Sequence, residues 1–368
     1  MTRAGGAGRP DKASPRHSPR PRAASGEHPD PWLQALDPAL LRAVDAALAG
    51  QPAGAAIGVA LSAGADSAML AAHAAGVARR RGLRLHCFHI HHGLQAEADD
   101  WQARAHRLAD LLDAGCHSRR VAVDVDGRGM EAAARDARYA ALAELAVHAG
   151  VGHVLLAHHQ DDQAETVLLR LLRGTGPSGL AAMRPVTERN GLVWIRPWLD
   201  QPRSAILDCA RRFETLTGWR PADDPSNADG RYARGALRAR LAPVLDERWP
   251  AWRRNLARHA AQAGELSDWV EAAAQDDWLG LDPSPDGRDF SLAAWRALPA
   301  PRQVQVLRHW LGILGLRMPT EARLRAWLRQ LREVHALGHD RSVQLRHEGV
   351  WIVVRRGRVC CLWKTRVE

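Results

Sequence analysis

The sequence predicts a doubly wound α/β domain, a parallel sheet covered by helices, followed by a smaller, mainly helical domain. Three observations carry this. From Ala56 onward short apolar runs alternate with stretches of helical length, the pattern of parallel strands joined by crossover helices. That alternation stops after residues 194–199 and gives way to a polar, then Arg-rich segment. Beyond it, residues 250–335 carry helical apolar spacing with many tryptophans.

Taken in order, residues 1–31 are rich in Pro, Gly, Ser and Arg without apolar periodicity, which predicts a disordered basic arm. Strands are expected at 56–61, 83–90, 119–125 and 152–157. Helices are expected at 67–80, 96–114, 130–149 and 161–173, the last closed by Gly174 as a C-terminal glycine. The α/β domain then covers 32–220. An Arg-rich linker takes 221–248, and a helical domain takes 249–368, ending in a hairpin that turns near Gly349 and Gly357.

A chain of 368 residues with 46% apolar content can bury a sizeable core. It contains no run of about 20 apolar residues for a membrane span and no apolar secretory leader, so a soluble cytoplasmic protein without a membrane partner is expected. The five cysteines form no CxxC pair, which argues against a zinc knuckle or a dithiol site. A formal net charge of +10 points to a polyanionic partner, nucleic acid first. All the basic residues except Lys12 and Lys364 are arginines, whose planar fork suits phosphate.

Four segments carry the chemistry. Ser62-Ala63-Gly64-Ala65-Asp66-Ser67 follows a strand and opens a helix, a turn that aims backbone N–H groups at an anion. There the hydroxyls of Ser62 and Ser67 can donate to phosphate and Asp66 can hold Mg²⁺; an ordinary capped turn is the alternative. Arg135 and Arg138 share one helix face and suit phosphate or carboxylate, or else a solvated face paired with Glu131 or Asp136. Asp162 and Glu165 project from one face at the start of a helix after the fourth strand, where open α/β sheets bind ligands, though acidic residues also cap helices. Phe88-His89-Ile90-His91-His92-Gly93-Leu94 ends the second strand. Its clustered histidines have neither a CxxC pair nor an HxxxH partner, which disfavours a metal.

The first of these segments resembles the Ser-Gly-Gly-x-Asp-Ser signature of the PP-loop ATP pyrophosphatases, with Ala63 in place of a glycine. If the backbone there requires positive φ, the alanine costs about 1 kcal/mol. The His91 segment resembles the His-x-His-His-Gly-Leu element of tRNA(Ile)-lysidine synthases. Glu131 through Tyr139, 158–166, and 173–180 resemble further elements of that family in order. Residues 224–238 resemble its linker, where Arg234 and Arg238 stand in an Arg-Asn-x-x-Arg element whose asparagine is Gly235 here. The resemblance is dense over 55–250 and looser beyond.

The resemblance implies a PP-loop fold and ATP-dependent ligation of free L-lysine to C2 of the wobble cytidine in the CAU anticodon of isoleucine tRNA. Adenylated tRNA is the intermediate, and AMP and pyrophosphate are the products. ATP would lie on Ser62, Ala63, Gly64, Ala65, Asp66 and Ser67 with His91 beside it, and Asp66 would hold Mg²⁺. Arg135 and Arg138 would act on the developing charge, Asp162 and Glu165 would bind the lysine ammonium, and Arg234 and Arg238 would contact tRNA or phosphate. A homodimer is left open. The resemblance implies that the chain ends before the second C-terminal domain of many relatives. Another PP-loop tRNA-modifying enzyme, thiolase-like, or an inactive tRNA-binding homologue are the competing readings.

Overall fold

The computed structural model describes residues 30–91, 93, 97–121, 130–223, 233–334 and 343–363. Residues 1–29 of the expected basic arm, His92 and Leu94, and the linker residues 224–232 lie outside these. The chain divides into two compact units, residues 1–261 and 262–368. The division falls inside one helix, Trp252–Leu279, rather than near residue 248.

In the first unit the order is α1 (Pro38–Ala47), β1 (Ala56–Ala60), α2 (Ala65–Arg81), β2 (Arg84–His91), α3 (Ala98–Leu111), β3 (Gly115–Arg120), α4 (Met130–His148), β4 (His153–Leu155) and α5 (Gln160–Leu172). There follow β5 (Val186–Arg189), β6 (Leu192–Ile195), α6 (Arg203–Thr217), α7 (Ala233–Ala236), a π-helical turn Leu237–Leu241, α8 (Ala242–Arg248) and the start of α9 (Trp252–Leu279). The sheet runs β3-β2-β1-β4-β6-β5. All neighbours are parallel except β5, which is antiparallel on the edge.

The doubly wound topology follows from burial. β1 (AIGVA) is apolar because it is covered on both sides. On one face Val44, Leu70, Ile206 and Phe213 belong to a core that takes in α1, α2 and α6; on the other, Tyr139, Leu142 and Ala146 of α4 pack on Phe88, Val154 and Trp194. The chain winds outward from β1 to β3, then returns through α4 to β4 on the opposite side of β1. The carboxyl ends of β1 and β4 therefore diverge, and this is the switch point at which such sheets bind ligands.

Three elements differ from the sequence expectation. β3 begins at Gly115, earlier than 119–125, because it pairs His86 with Gly115 and His91 with Arg120; as a half-exposed edge strand, GCHSRR lacks the apolar run that drew the reading onward. Helix α6 continues the α/β unit past the point where the alternation seemed to stop, burying Ile206, Cys209, Ala210 and Phe213. The edge strand β5 forms a hairpin with β6 through Asn190 and Gly191, both at positive φ, a two-residue Asn-Gly turn.

The second unit holds most of α9, then β7 (Asp289–Ser291), α10 (Leu292–Ala297), α11 (Ala300–Ile313), α12 (Glu321–Glu333), β8 (Gln344–His347), β9 (Val350–Arg355) and β10 (Arg358–Trp363). The expected terminal hairpin is part of an antiparallel sheet ordered β7-β10-β9-β8, because Phe290 pairs with Val359. Trp295 and Trp310, both fully buried, donate their indole N–H groups to the carbonyls of Gln303 and Gly287, so neither polar atom is stranded in the core. Among the described residues no helix is long and apolar enough to cross a membrane.

Candidate active site

The loop between β1 and α2 is set by its own small residues. Ser67 Oγ donates to the Gly64 carbonyl at 3.1 Å and accepts from the Ser62 N–H at 3.1 Å, so the Ser62 hydroxyl, 3.0 Å away, donates to Ser67. Both hydroxyls therefore bond within the loop. What the loop offers an anion is the first turn of α2, whose leading N–H groups have no acceptor inside the helix. Ala63 sits at φ 68°, the left-handed region, with its methyl fully buried. The positive φ that makes alanine costly at this position is therefore present.

A cavity of about 370 Å³ opens above this loop at the switch point. Ser62, Gly64, Asp66 and Ser67 line one part, Phe88 and Ile90 of β2 another, and Arg138, Tyr139 and His158 a third. His91 is not on that wall. Its ring Nε2 lies 3.0 Å from Asp99 and its Nδ1 accepts from the Gly93 N–H, while His89, two residues earlier, reaches the cavity and bonds the Leu61 carbonyl at 2.9 Å.

Asp66 is held by Arg203 through two bonds, Nε to Oδ1 at 3.2 Å and Nη2 to Oδ2 at 3.1 Å, with His159 Nε2 3.8 Å away. Burial alone would raise its carboxyl, but His159 and Arg203 outweigh burial and hold it below the ordinary range. His159 is the mirror case. Burial would lower it, and the carboxylates of Asp66 and Asp162 raise it above the ordinary imidazole value. In the neutral ring Nδ1 accepts from the Asp162 N–H, closing a capping box at the start of α5, and Nε2 faces Asp66; protonation of Nδ1 gives up that cap in exchange for the charge interaction with the carboxylates.

Asp162 and Glu165 do come together on one face of α5, yet they are not free. Arg238 takes Glu165 with both prongs and reaches Asp162 at 3.4 Å. Asp161 in turn pairs with Arg253 at 2.8 Å. A smaller cavity of about 170 Å³ lies among His159, Glu165, Arg203, Arg238 and Arg253. Arg238 arrives there from the π-helical turn just before Pro243, whose missing N–H cannot continue the α-helical ladder. Leu237 and Ala242 pack on Ala164 of α5, and Gly235 is buried, so this part of the expected linker belongs to the wall of the site.

Arg135 and Arg138 stack on Tyr139, at 5.5 and 5.8 Å from its ring centroid. Arg234 donates to the Thr166 hydroxyl at 3.1 Å. Burial, and the cations Arg135 and Arg234 nearby, lower Arg138. This side of the site is basic.

With that geometry in view, relatives decide the family. Residues 39–245 match the PP-loop domain and residues 290–360 the TilS substrate binding domain. The tRNA(Ile)-lysidine synthase of Bordetella bronchiseptica is 54% identical over 334 residues, 90% of this chain and 97% of that protein. The chain belongs to the tRNA(Ile)-lysidine synthase family. Another lysidine synthase, from Ralstonia nicotianae, is 46% identical over 286 residues, 77% of this chain and 60% of that protein. The fold is also that of the U34-tRNA thiolase NcsA from Methanococcus maripaludis, with a TM-score of 0.52 at 15% identity over 64% of this chain and 79% of that one.

In this lysidine synthase family member, sequence reasoning missed Arg203, His159 and Arg253. His159 lay inside a quoted segment, and its place before Asp162 was a capping signal open to reading. Arg203 and Arg253 carried none. They reach the site only because α6 and α9 fold back on α5, which no local pattern records.

Proposed function

We infer that this protein carries out ATP-dependent formation of lysidine at the wobble cytidine of isoleucine tRNA, by way of adenylated tRNA. The observation that carries this is the switch-point cavity, with an anion-binding turn on one side and a basic wall on the other, in a chain alike to the Bordetella bronchiseptica lysidine synthase over 97% of that protein. In the first step the cytidine O2 attacks the α-phosphorus of ATP and pyrophosphate leaves. In the second the lysine ε-amine attacks C2 and AMP leaves.

The first turn of α2 would bind phosphate, and Arg135, Arg138 and Arg234 would stabilise charge on the transferring group. Free L-lysine would enter beside Asp162 and Glu165. An amine with an ordinary pKa near 10.4 must lose a proton to attack, and these carboxylates are placed to hold the ammonium and take that proton. Arg238 contacts both and balances one of their two negative charges, which leaves a net negative site for an ammonium.

Mg²⁺ would neutralise triphosphate charge. An ion held mostly by phosphate oxygens would take Asp66 as its protein ligand in exchange for part of the Arg203 contact that now holds both carboxylate oxygens. The cytoplasm is the proposed compartment. A homodimer remains the proposed assembly to test by light scattering.

The deciding experiment is incorporation of radiolabelled lysine into isoleucine tRNA with a CAU anticodon, with and without ATP, and with methionine tRNA as control. ATP-dependent labelling of the isoleucine tRNA alone is expected. No labelling by folded, tRNA-binding protein would move the reading to a different PP-loop substrate or an inactive binder.

A further inference from the structure

A second cavity, about 390 Å³, lies on the α6 side of the loop between β1 and α2. Ser62, Gly64, Asp66 and Ser67 border both this cavity and the one at the switch point, so the loop is a wall common to the two. Their other walls differ in kind. Phe88, Ile90, Leu142 and Leu156 give the switch-point cavity apolar surface that suits a base. The α6-side cavity is completed by Arg203, Leu207 and residues 221–223, and among the described residues that line it Arg203 alone is basic.

Arg203 is placed to change partners. Its backbone N–H donates to Asp161 at 3.2 Å, which fixes the start of α6 against α5, and its Nε and Nη2 take the two oxygens of Asp66. Nη1 makes no hydrogen bond among the described residues, and the side chain is 41% exposed. An ion pair this open to water is held weakly. A phosphate offers the guanidinium fork two oxygens in the same way that a carboxylate does. Asp66 and Asp223 also line the cavity, so an anion that enters must bring positive charge with it, as a polyphosphate chelated by Mg²⁺ does.

We propose that Arg203 binds the β- and γ-phosphates of ATP in the α6-side cavity, giving up part of its contact with Asp66 to do so, and holds the pyrophosphate as it leaves. This rests on the lysidine-forming reading above, in which cytidine O2 bonds to the α-phosphorus while the bond from that phosphorus to the oxygen bridging to the β-phosphate breaks. The electron pair of that bond stays on pyrophosphate. Arg203 supplies N–H donors and positive charge where the negative charge accumulates, and no proton moves. The base then lies on one side of the loop and the leaving group on the other.

The test measures equilibrium affinities for ATP, AMP and pyrophosphate, each with Mg²⁺ and without tRNA, in the wild type, Arg203→Ala, Arg203→Lys and Leu207→Glu. Leu207→Glu sets a carboxylate in the cavity without removing either member of the Arg203–Asp66 pair. Arg203→Ala and Leu207→Glu are each expected to weaken ATP and pyrophosphate by about tenfold or more while AMP stays within about threefold, and Arg203→Lys should recover part of the loss as a point charge. AMP ends at the α-phosphate, so its affinity measures the loop itself. If AMP weakens in step with ATP in Arg203→Ala, Arg203 merely steadies the loop through Asp66 and the proposal falls. It falls equally if pyrophosphate affinity is unchanged in Arg203→Ala or in Leu207→Glu. Should Arg203→Ala not fold, the comparison of ATP with AMP in Arg203→Lys and Leu207→Glu decides by the same criterion. These affinities are read without turnover, so a wild type that binds ATP and pyrophosphate yet forms no lysidine would sink the functional reading alone.

Discussion

Arg238 closes on Glu165 with two hydrogen bonds, Nε to Oε1 at 2.6 Å and Nη2 to Oε2 at 2.9 Å. Glu165 is 6% exposed and Arg238 34%, so one partner is enclosed and the other reaches water. The pair ties the π-helical turn to α5 and sets how that segment meets the site.

Removing Glu165 should therefore cost stability as well as activity. Glu165→Ala leaves Arg238 with only the longer contact to Asp162, and the loss is expected to be about 2 kcal/mol, below the range for a fully buried pair because Arg238 is partly hydrated. In urea denaturation Arg238→Ala should cost about as much through the stranded carboxylate, and the double variant less than the sum. Additive losses would show that the two side chains are not coupled.

The two steps of the reaction should separate at two carboxylates. Asp66→Ala is expected to abolish pyrophosphate release, because it removes the proposed Mg²⁺ ligand and leaves Arg203 without its carboxylate partner. Glu165→Ala should raise the KM for lysine more than the KM for ATP. Equal damage to both steps in Glu165→Ala would remove it from the lysine site.

Much of this site was legible because local pattern and function coincide there. The strand, the small-residue turn and the helix of 56–81 announce a phosphate loop, and Asp162 and Glu165 sit where a helix after the fourth strand must begin. Arg203 and Arg253 were illegible because they reach Asp66 and Asp161 across long separations. The bond between the Ser62 and Ser67 hydroxyls was not legible for a different reason: it depends on the close return of Ser67 to Ser62, which residue type alone does not record. The Asn190-Gly191 hairpin was open to reading, but the short strand before it, Val186–Arg189, is mostly exposed and carries little apolar signal.

Ala63 shows how a departure from a glycine signature is tolerated. At φ 68° an L-residue is disfavoured by about 1–2 kcal/mol, but its buried methyl returns about 0.8 kcal/mol, and alanine restricts the unfolded chain by about another 0.4–1 kcal/mol relative to glycine. These nearly cancel. Ala63→Gly should therefore shift stability by less than about 1 kcal/mol, whereas Ala63→Val, β-branched in the left-handed region, should cost more than about 2 kcal/mol. A large gain in Ala63→Gly by urea denaturation would mean that the buried methyl contributes nothing.

Two histidines should give the protein opposite pH dependences. His159 is raised by Asp66 and Asp162, so its contribution to stability is fully present below the unfolded value of about 6.5 and is lost as pH rises through its folded value. The Asp66 carboxyl is lowered, so its share is present above about 3.9 and lost as pH falls through its folded value. His73 is different. Burial pushes it down to about 4, and its ring is fixed neutral between the Met69 carbonyl and the Asp37 N–H. Its contribution is present above about 6.5 and lost as pH falls toward its folded value. The stability difference between wild type and His159→Asn should therefore shrink as pH rises above 6.5, and that between wild type and His73→Asn should shrink as pH falls below it. Denaturation series from pH 4.5 to 9 read both slopes, about the unperturbed imidazole value. Parallel slopes for the two variants would show that His159 is not held charged by Asp66, and the ion pair assigned to the phosphate-binding turn would fall with it.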